Sequence, residues 1–313
     1  MKTKVSSVFL LLLAACIWGF SFVAQVTGGE NIGMFWFNGI RFTIGALVLV
    51  PVVLIFERGR CNRVTVLAGI VAGVILCTAA NLQQWGINIT ESSGRSGFIT
   101  ALYTVLVPLL GALFLRKHTN RNTWLGAILA IIGLFLILSG GMATNDTPLI
   151  TGLLRLAFGS KTAVNATFSV GKGDIVLLGC AVGYAVHILF IDSFSHSVSP
   201  IAFSAIQFLT AGVLSTLMAL FNESLRMENV ISAVIPLLYC GICSTGIAFT
   251  LQTVGQKNAD PTVAAIAMST ESIFAALGGA IILHDKLPVI AYVGCAIIFA
   301  GIVISQIPAG KRR

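Results

Sequence analysis

Apolar positions along this chain fall into long runs separated by short polar joints. The runs cover 6–26, 34–56, 64–88, 95–115, 122–139, 174–192, 199–221, 230–253, 261–283 and 288–307. Each approaches the roughly 20 residues a helix needs to cross a hydrocarbon core, so the pattern predicts ten transmembrane helices. Several starts carry local signals. Asp174 follows Gly171-Lys172-Gly173 and suits an N-cap. Pro200, Pro261 and Pro288 sit near helix starts, where a missing N–H costs little.

Composition agrees with a lipid solvent. Of 313 residues 57% are hydrophobic and 10% charged, with a mean hydropathy of +0.96. Soluble domains carry about 25% charged residues, and a water-soluble fold of this size has nowhere to hide so much apolar surface. The formal charge of +8 resides in the joints, not in a patch interleaved with aromatics. That pattern sets membrane orientation and argues against a nucleic-acid partner. The seven cysteines are scattered, most of them inside apolar runs, where cysteine acts as a small hydrophobe. Cys240-Gly-Ile-Cys243 has a CxxC spacing but no second pair, and reads as structural; no metal or other cofactor is expected. Lys2, Lys4 and then Leu13-Ala14-Ala15-Cys16 resemble a lipoprotein signal, yet residues 17–23 extend the apolar run to spanning length, which makes it the first helix.

The basic residues orient the spans. With the N-terminus in the cytoplasm, 12 fall inside, among them Arg58, Arg60, Arg63 and the Lys311-Arg312-Arg313 tail. Six fall outside: Arg95, Arg155, Lys161, Lys172, Arg226 and Lys286, three of them in one long loop that counts for less. Arg41 lies within a span and has no vote. An even number of spans returns the C-terminus to the cytoplasm.

The chain also resembles itself. At an offset of 166, Phe37-Asn38-Gly39-Ile40-Arg41-Phe42 aligns with Phe203-Ser204-Ala205-Ile206-Gln207-Phe208, Trp18 with Tyr184, Thr78 with Ser244 and Ala80 with Gly246. The offset then slips to 168, pairing Gln84 with Gln252, Gly126 with Gly294 and Gly133 with Gly301. Five spans per half is an odd number, so the second half enters the membrane the other way round. The expected fold is an all-α integral membrane protein of two inverted five-helix repeats, 1–139 and 173–313. Inverted repeats mark many secondary transporters, with substrate held near the midplane between the halves. The joining segment 140–172 is an extracytoplasmic connector. Leu149, Ile150, Leu153, Leu154, Ala157 and Phe158 recur there at helical spacing, and the stretch 148–158 reads as a short interfacial helix or a mobile loop.

These features resemble the drug/metabolite transporter superfamily and, within it, the EamA-type transporters. The residues that carry the likeness are Ala15-Cys16-Ile17-Trp18-Gly19-Phe20-Ser21-Phe22, Arg41-Phe42, Pro108 and Thr270-Glu271-Ser272, with the Gly126/Gly133 and Gly294/Gly301 spacings. Ser272 stands where the family usually has proline. The resemblance covers nearly all of the chain outside 140–172, and the connector is longer than the family pattern. It implies two EamA-like five-helix repeats and transport of metabolites, amino acids or drugs, often outward, in a cell membrane (the inner membrane of a bacterium).

Three ionisable residues sit within spans, where each costs roughly 2.5–3.5 kcal/mol on insertion scales. Glu271 reads either as a coupling carboxylate or substrate-amine contact, or as a residue bonding a neighbouring helix. His187, one turn past Tyr184, reads as a cavity or titrating group, or as a polar contact between helices. Arg41, whose repeat equivalent is Gln207, reads first as a snorkelling or paired residue near the outer interface and second as a substrate-carboxylate ligand. Asn81, Gln83 and Gln84 place three amides in one apolar span. Interhelical bonds are their ordinary use, and Asn81 or Gln84 is the preferred pathway residue. Trp18, Tyr103 and Tyr184 lie deep for residues that favour interfaces, either as cavity wall or as packing. Gly69 with Gly73, and Gly179 with Gly183, have the spacing of close helix contacts. Asn88-Ile89-Thr90 and Asn165-Ala166-Thr167 match glycosylation sequons, without meaning in a bacterial cell.

No GxxxxGK[ST] phosphate loop and no HExxH motif occurs, so any net flux draws on a gradient or on downhill exchange. The reading is a secondary transporter of a small-molecule substrate, embedded in the lipid bilayer as a monomer or homodimer, and not an enzyme. The alternatives are an integral-membrane enzyme, which would need polar groups clustered at a membrane face, and a non-transporting membrane partner protein, which would leave the midplane polar residues idle.

Overall fold

The computed structural model describes residues 2–29, 32–59, 61–90, 93–116, 120–141, 171–282, 289–305 and 307. The helices of the first half are α1 (Lys2–Gly29), α2 (Met34–Phe56), α3 (Arg63–Thr90), α4 (Ser93–Thr100), α5 (Tyr103–Leu115) and α6 (Arg121–Gly141). Those of the second are α7 (Lys172–Phe194), α8 (Pro200–Asn222), the short α9 (Met227–Ser232), α10 (Val234–Leu238), a π-helix (Tyr239–Phe249), α11 (Thr250–Gln256), α12 (Pro261–Met268), α13 (Glu271–Ile282) and α14 (Val289–Ser305). No strand occurs among the described residues. Seven described stretches are long and apolar enough to cross a membrane. Their outward faces carry exposed Leu54, Phe114, Phe221 and Ile235, a surface that suits lipid and not water. The expected helix at 148–158 lies outside the described residues.

The elements differ from expectation in three places. Asp174 sits at the third helical position of α7, and the cap is Gly171. The Asp174 carboxylate accepts from the Gly171 N–H at 2.9 Å, and its charge suits the positive end of the helix. The stretch 230–253 is not a plain α-helix, since its middle widens into the π-helix. The stretches 95–115 and 261–283 are each interrupted, between α4 and α5 and between α12 and α13.

The interruptions match bond for bond. Leu102 N donates to Ile99 O, Thr104 N to Ala101 O and Val105 N to Leu102 O, each a tightened three-residue step. At offset 168, Thr270 N donates to Ala267 O, Ser272 N to Ser269 O and Ile273 N to Thr270 O. Such 3₁₀ turns within a helix recur at hinges. In the second half, the Ser269 and Thr270 hydroxyls also bond back to Ile266 O and Ala267 O, occupying carbonyls near the helix end.

Packing repeats with the halves exchanged. Helix α2 lies on its equivalent α8, and α6 on its equivalent α14. The contact of α3 with α7 is mirrored by that of α1 with the π-helix and α11, and α3 on α8 by the π-helix on α2. Contact between α5 and α7 is mirrored by contact between α1 and α13. The crossing of α6 and α14 is antiparallel and close. A methyl group on Gly126 would fall 2.6 Å from the Gly301 carbonyl oxygen, and one on Gly133 would fall 2.5 Å from that of Gly294.

The α2–α8 pair is fastened at both ends by glutamates 166 residues apart. The Glu57 carboxylate accepts from Ile201 N at 3.3 Å and Ala202 N at 2.8 Å, at the start of α8. The Glu223 carboxylate accepts from Phe35 N at 3.2 Å and Trp36 N at 3.0 Å, at the start of α2. Each anion satisfies first-turn amides that have no partner within their own helix and meets the positive end of the helix dipole.

Candidate functional site

Between the halves lies a chamber whose non-atom space, counted with the open space at its mouth, is about 470 Å³. Its wall is built from repeat-equivalent positions. Trp18 with Tyr184 and Phe22 with Ile188 line it at offset 166, and Thr100 with Met268 and Tyr103 with Glu271 line it at offset 168. The chamber therefore straddles the relation between the repeats.

Tyr103 and Glu271 each open the helix that follows a tightened turn. The turns bring these equivalent residues together, and the Tyr103 hydroxyl donates to Glu271 Oε1 at 3.2 Å. Gly19 is where α1 meets this region, and a methyl group there would fall 2.7 Å from the Glu271 carbonyl oxygen. Trp18 Nε1 donates to Ser244 O, a π-helix carbonyl, at 3.1 Å, and its ring meets Phe249 edge-on at 4.7 Å. Tyr184 donates to Gln83 Oε1 at 3.0 Å.

Arg41 also lines the chamber and is 2% exposed. It does not snorkel outward. Its Nε donates to Asn38 Oδ1 at 2.8 Å, and its guanidinium carbon lies 4.8 Å from the Phe42 ring centroid. Asn38 in turn donates to Asn81 Oδ1 at 2.8 Å, and Asn81 donates to Ser215 Oγ at 2.9 Å. Asn81 is thus one step behind Arg41 and fixes it through Asn38.

Of the residues singled out in the sequence, Trp18, Arg41, Tyr103, Tyr184 and Glu271 reach the chamber, whereas Asn81, Gln84, His187 and Gln207 are buried outside its wall. Gln84 donates to the Gln25 carbonyl oxygen at 3.2 Å, joining α3 to α1. His187 Nε2 and Gln207 Oε1 are 3.0 Å apart. The His187 ring stands edge-on to Phe249, 6.2 Å between centroids, and so lies behind that aromatic wall. In α3 the amide at the wall is Gln83. Sequence reasoning passed over Ser21, Gln25 and Gln252. One signal was available for Ser21 and Gln25, which follow Trp18 at helical spacing. Gln252 is the repeat partner of Gln84 and reaches the chamber where Gln84 does not.

The fold and the site together define a polytopic helical membrane protein whose two halves enclose a chamber that is aromatic, polar and charged. The EamA-like transporter family matches residues 5–139 and again 171–306, and the chain belongs to that family. Among similar proteins is an uncharacterized transporter of Archaeoglobus fulgidus, 26% identical over 94% of this chain and 83% of that protein. The uncharacterized transporter YetK of Bacillus subtilis is 24% identical over 98% and 88%. A WAT1-related protein of Arabidopsis thaliana is 22% identical over 84% and 74%. A solved crystal structure shares the fold with a TM-score of 0.74 at 19% identity, each chain covered to 96%. The chain is thus a multi-pass membrane transporter of the drug/metabolite transporter type.

Proposed function

We propose that the protein is a secondary transporter that exports small organic solutes (amino acids, metabolites or drugs) by alternating access around the central chamber. One observation carries the reading: four pairs of repeat-equivalent residues line one cavity. A site on a symmetry relation is reached equally from either side once the halves exchange conformations. The arrangement is then ten transmembrane helices as two inverted repeats. Helix α6, the α12–α13 pair and α14 complete the seven long crossings, and both termini are cytoplasmic. The antiparallel contact of equivalent helices α6 and α14 supports the inversion. The 3₁₀ turns supply places for α4–α5 and α12–α13 to bend.

Glu271 is the coupling candidate, because its carboxylate lines the chamber and takes a hydrogen bond from Tyr103. His187 is the second candidate, acting through Phe249. The wall of Trp18, Tyr184 and Phe249 receives the apolar part of the solute. In proteoliposomes loaded with a transported solute, Glu271→Gln keeps expression and folding but loses coupled flux and its response to an imposed pH gradient. Wild-type flux with unchanged pH dependence in that variant removes Glu271 from the mechanism.

A further inference from the structure

Three buried side-chain atoms in the chamber wall have no hydrogen-bond partner among the described residues: Arg41 Nη2, Gln25 Oε1 and Gln252 Oε1. All three residues are at most 3% exposed. A buried polar group without a partner costs about 1–3 kcal/mol, and more when charged, so three around one space set the chemistry that a bound solute would have to match. Arg41 Nη2 is a cationic donor and calls for an anion. The orientation of Gln25 is fixed by its neighbour. Ser21 Oγ spends its proton on the Trp18 carbonyl at 2.8 Å, so it can only accept from Gln25 Nε2, 3.3 Å away. Gln25 Oε1 is thereby left as an acceptor and calls for a donor.

Resting on the transporter reading, we propose that Arg41 binds the carboxylate of a small organic acid, while Gln25 and Gln252 take an amine or hydroxyl donor carried by the same molecule. Several features suit Arg41 to this task. Its planar fork matches a carboxylate with two parallel bonds. Asn38, the Cys240 thiol and the Phe42 face hold the guanidinium without neutralising it. Its repeat equivalent Gln207 faces His187 outside the chamber, so the guanidinium stands on one side only, in a wall whose carboxylate is Glu271 of the other half. That one-sidedness orients a bound solute.

The test uses matched probes on detergent-purified full-length protein. For aliphatic skeletons of three to six carbons, thermal stabilisation and equilibrium binding are measured with the amino acid, its carboxamide and the acid lacking the amine. The wild type binds the amino acid and rejects the carboxamide, which has lost the charge. The acid without the amine binds more weakly. Arg41→Gln lowers amino-acid affinity about tenfold to a hundredfold, the worth of a charge-assisted bond, and Arg41→Lys restores part of it. Equal binding of acid and carboxamide by the wild type overturns the assignment, as does an unchanged preference in Arg41→Gln or failure of every probe to bind. If Arg41→Gln does not fold, the wild-type comparison and Arg41→Lys still decide. Acid-selective binding with no flux in proteoliposomes would sink the transport reading and leave this one standing. Flux of an uncharged solute indifferent to Arg41→Gln would do the reverse.

Discussion

Glu57 and Glu223 occupy equivalent places and perform equivalent work, each binding two first-turn amides of the other's helix. Bonds to a charged acceptor contribute about 1.5–3 kcal/mol each where water is excluded; Glu223 is the more exposed of the two, so its share is smaller. Replacing either with alanine lowers the melting temperature of the solubilised protein, Glu57 by more. The two effects add in the double variant, because the caps sit at opposite ends of helices about 34 Å long. Little of this was legible beforehand. A glutamate closing an apolar run looks like a solvated joint, and only the offset of 166 ties the two together. Glu271 and Arg41 were legible, because a charge inside an apolar span is conspicuous. Gln83 was not distinguishable from Gln84: adjacent amides face different sides of a helix, and only the neighbours decide which side is wet.

The spans themselves were readable from hydropathy, since lipid demands long apolar helices and little else. The interruptions were not. Ala101-Leu102 carries no breaker, and Ser269-Thr270 lies in a segment with no proline between Pro261 and Pro288. The second turn carries hydroxyl back-bonds from Ser269 and Thr270. The π-helix did leave a trace. The repeat offset slips by two residues between Gly246 and Gln252, beside the segment Tyr239–Phe249. A wider five-residue bonding pattern takes up extra residues without breaking the helix. Glycine spacing proved a mixed guide. Gly126→Ala and Gly301→Ala, which push a methyl group onto the facing backbone, reduce thermal stability and the yield of monodisperse protein. Gly179→Ala, whose methyl group would meet only Leu82 Cδ1 at 3.7 Å, is neutral or stabilising, since alanine favours helix by about 1 kcal/mol. Equal losses at the three sites would show that close packing of α6 on α14 is not needed.

At the scale of the whole molecule, orientation has a direct check. Cys61, the exposed cysteine of the seven, lies in the joint between α2 and α3. With both termini in the cytoplasm, a membrane-impermeant maleimide labels Cys61 in inside-out vesicles and leaves it untouched in intact cells; labelling from outside reverses the topology. The repeats are alike in path but not in chemistry. Tyr103 faces Glu271, and Arg41 has Gln207 as its counterpart. Were the copies identical, the empty carrier would rest equally often open to either side. Under the alternating access proposed above, their difference would favour one resting side, and each 1.4 kcal/mol of difference would shift that preference tenfold. Such a bias would govern which compartment finds the chamber open and how quickly each half-cycle runs. It would have no say in net direction, which belongs to the electrochemical gradients of the solute and any coupled ion.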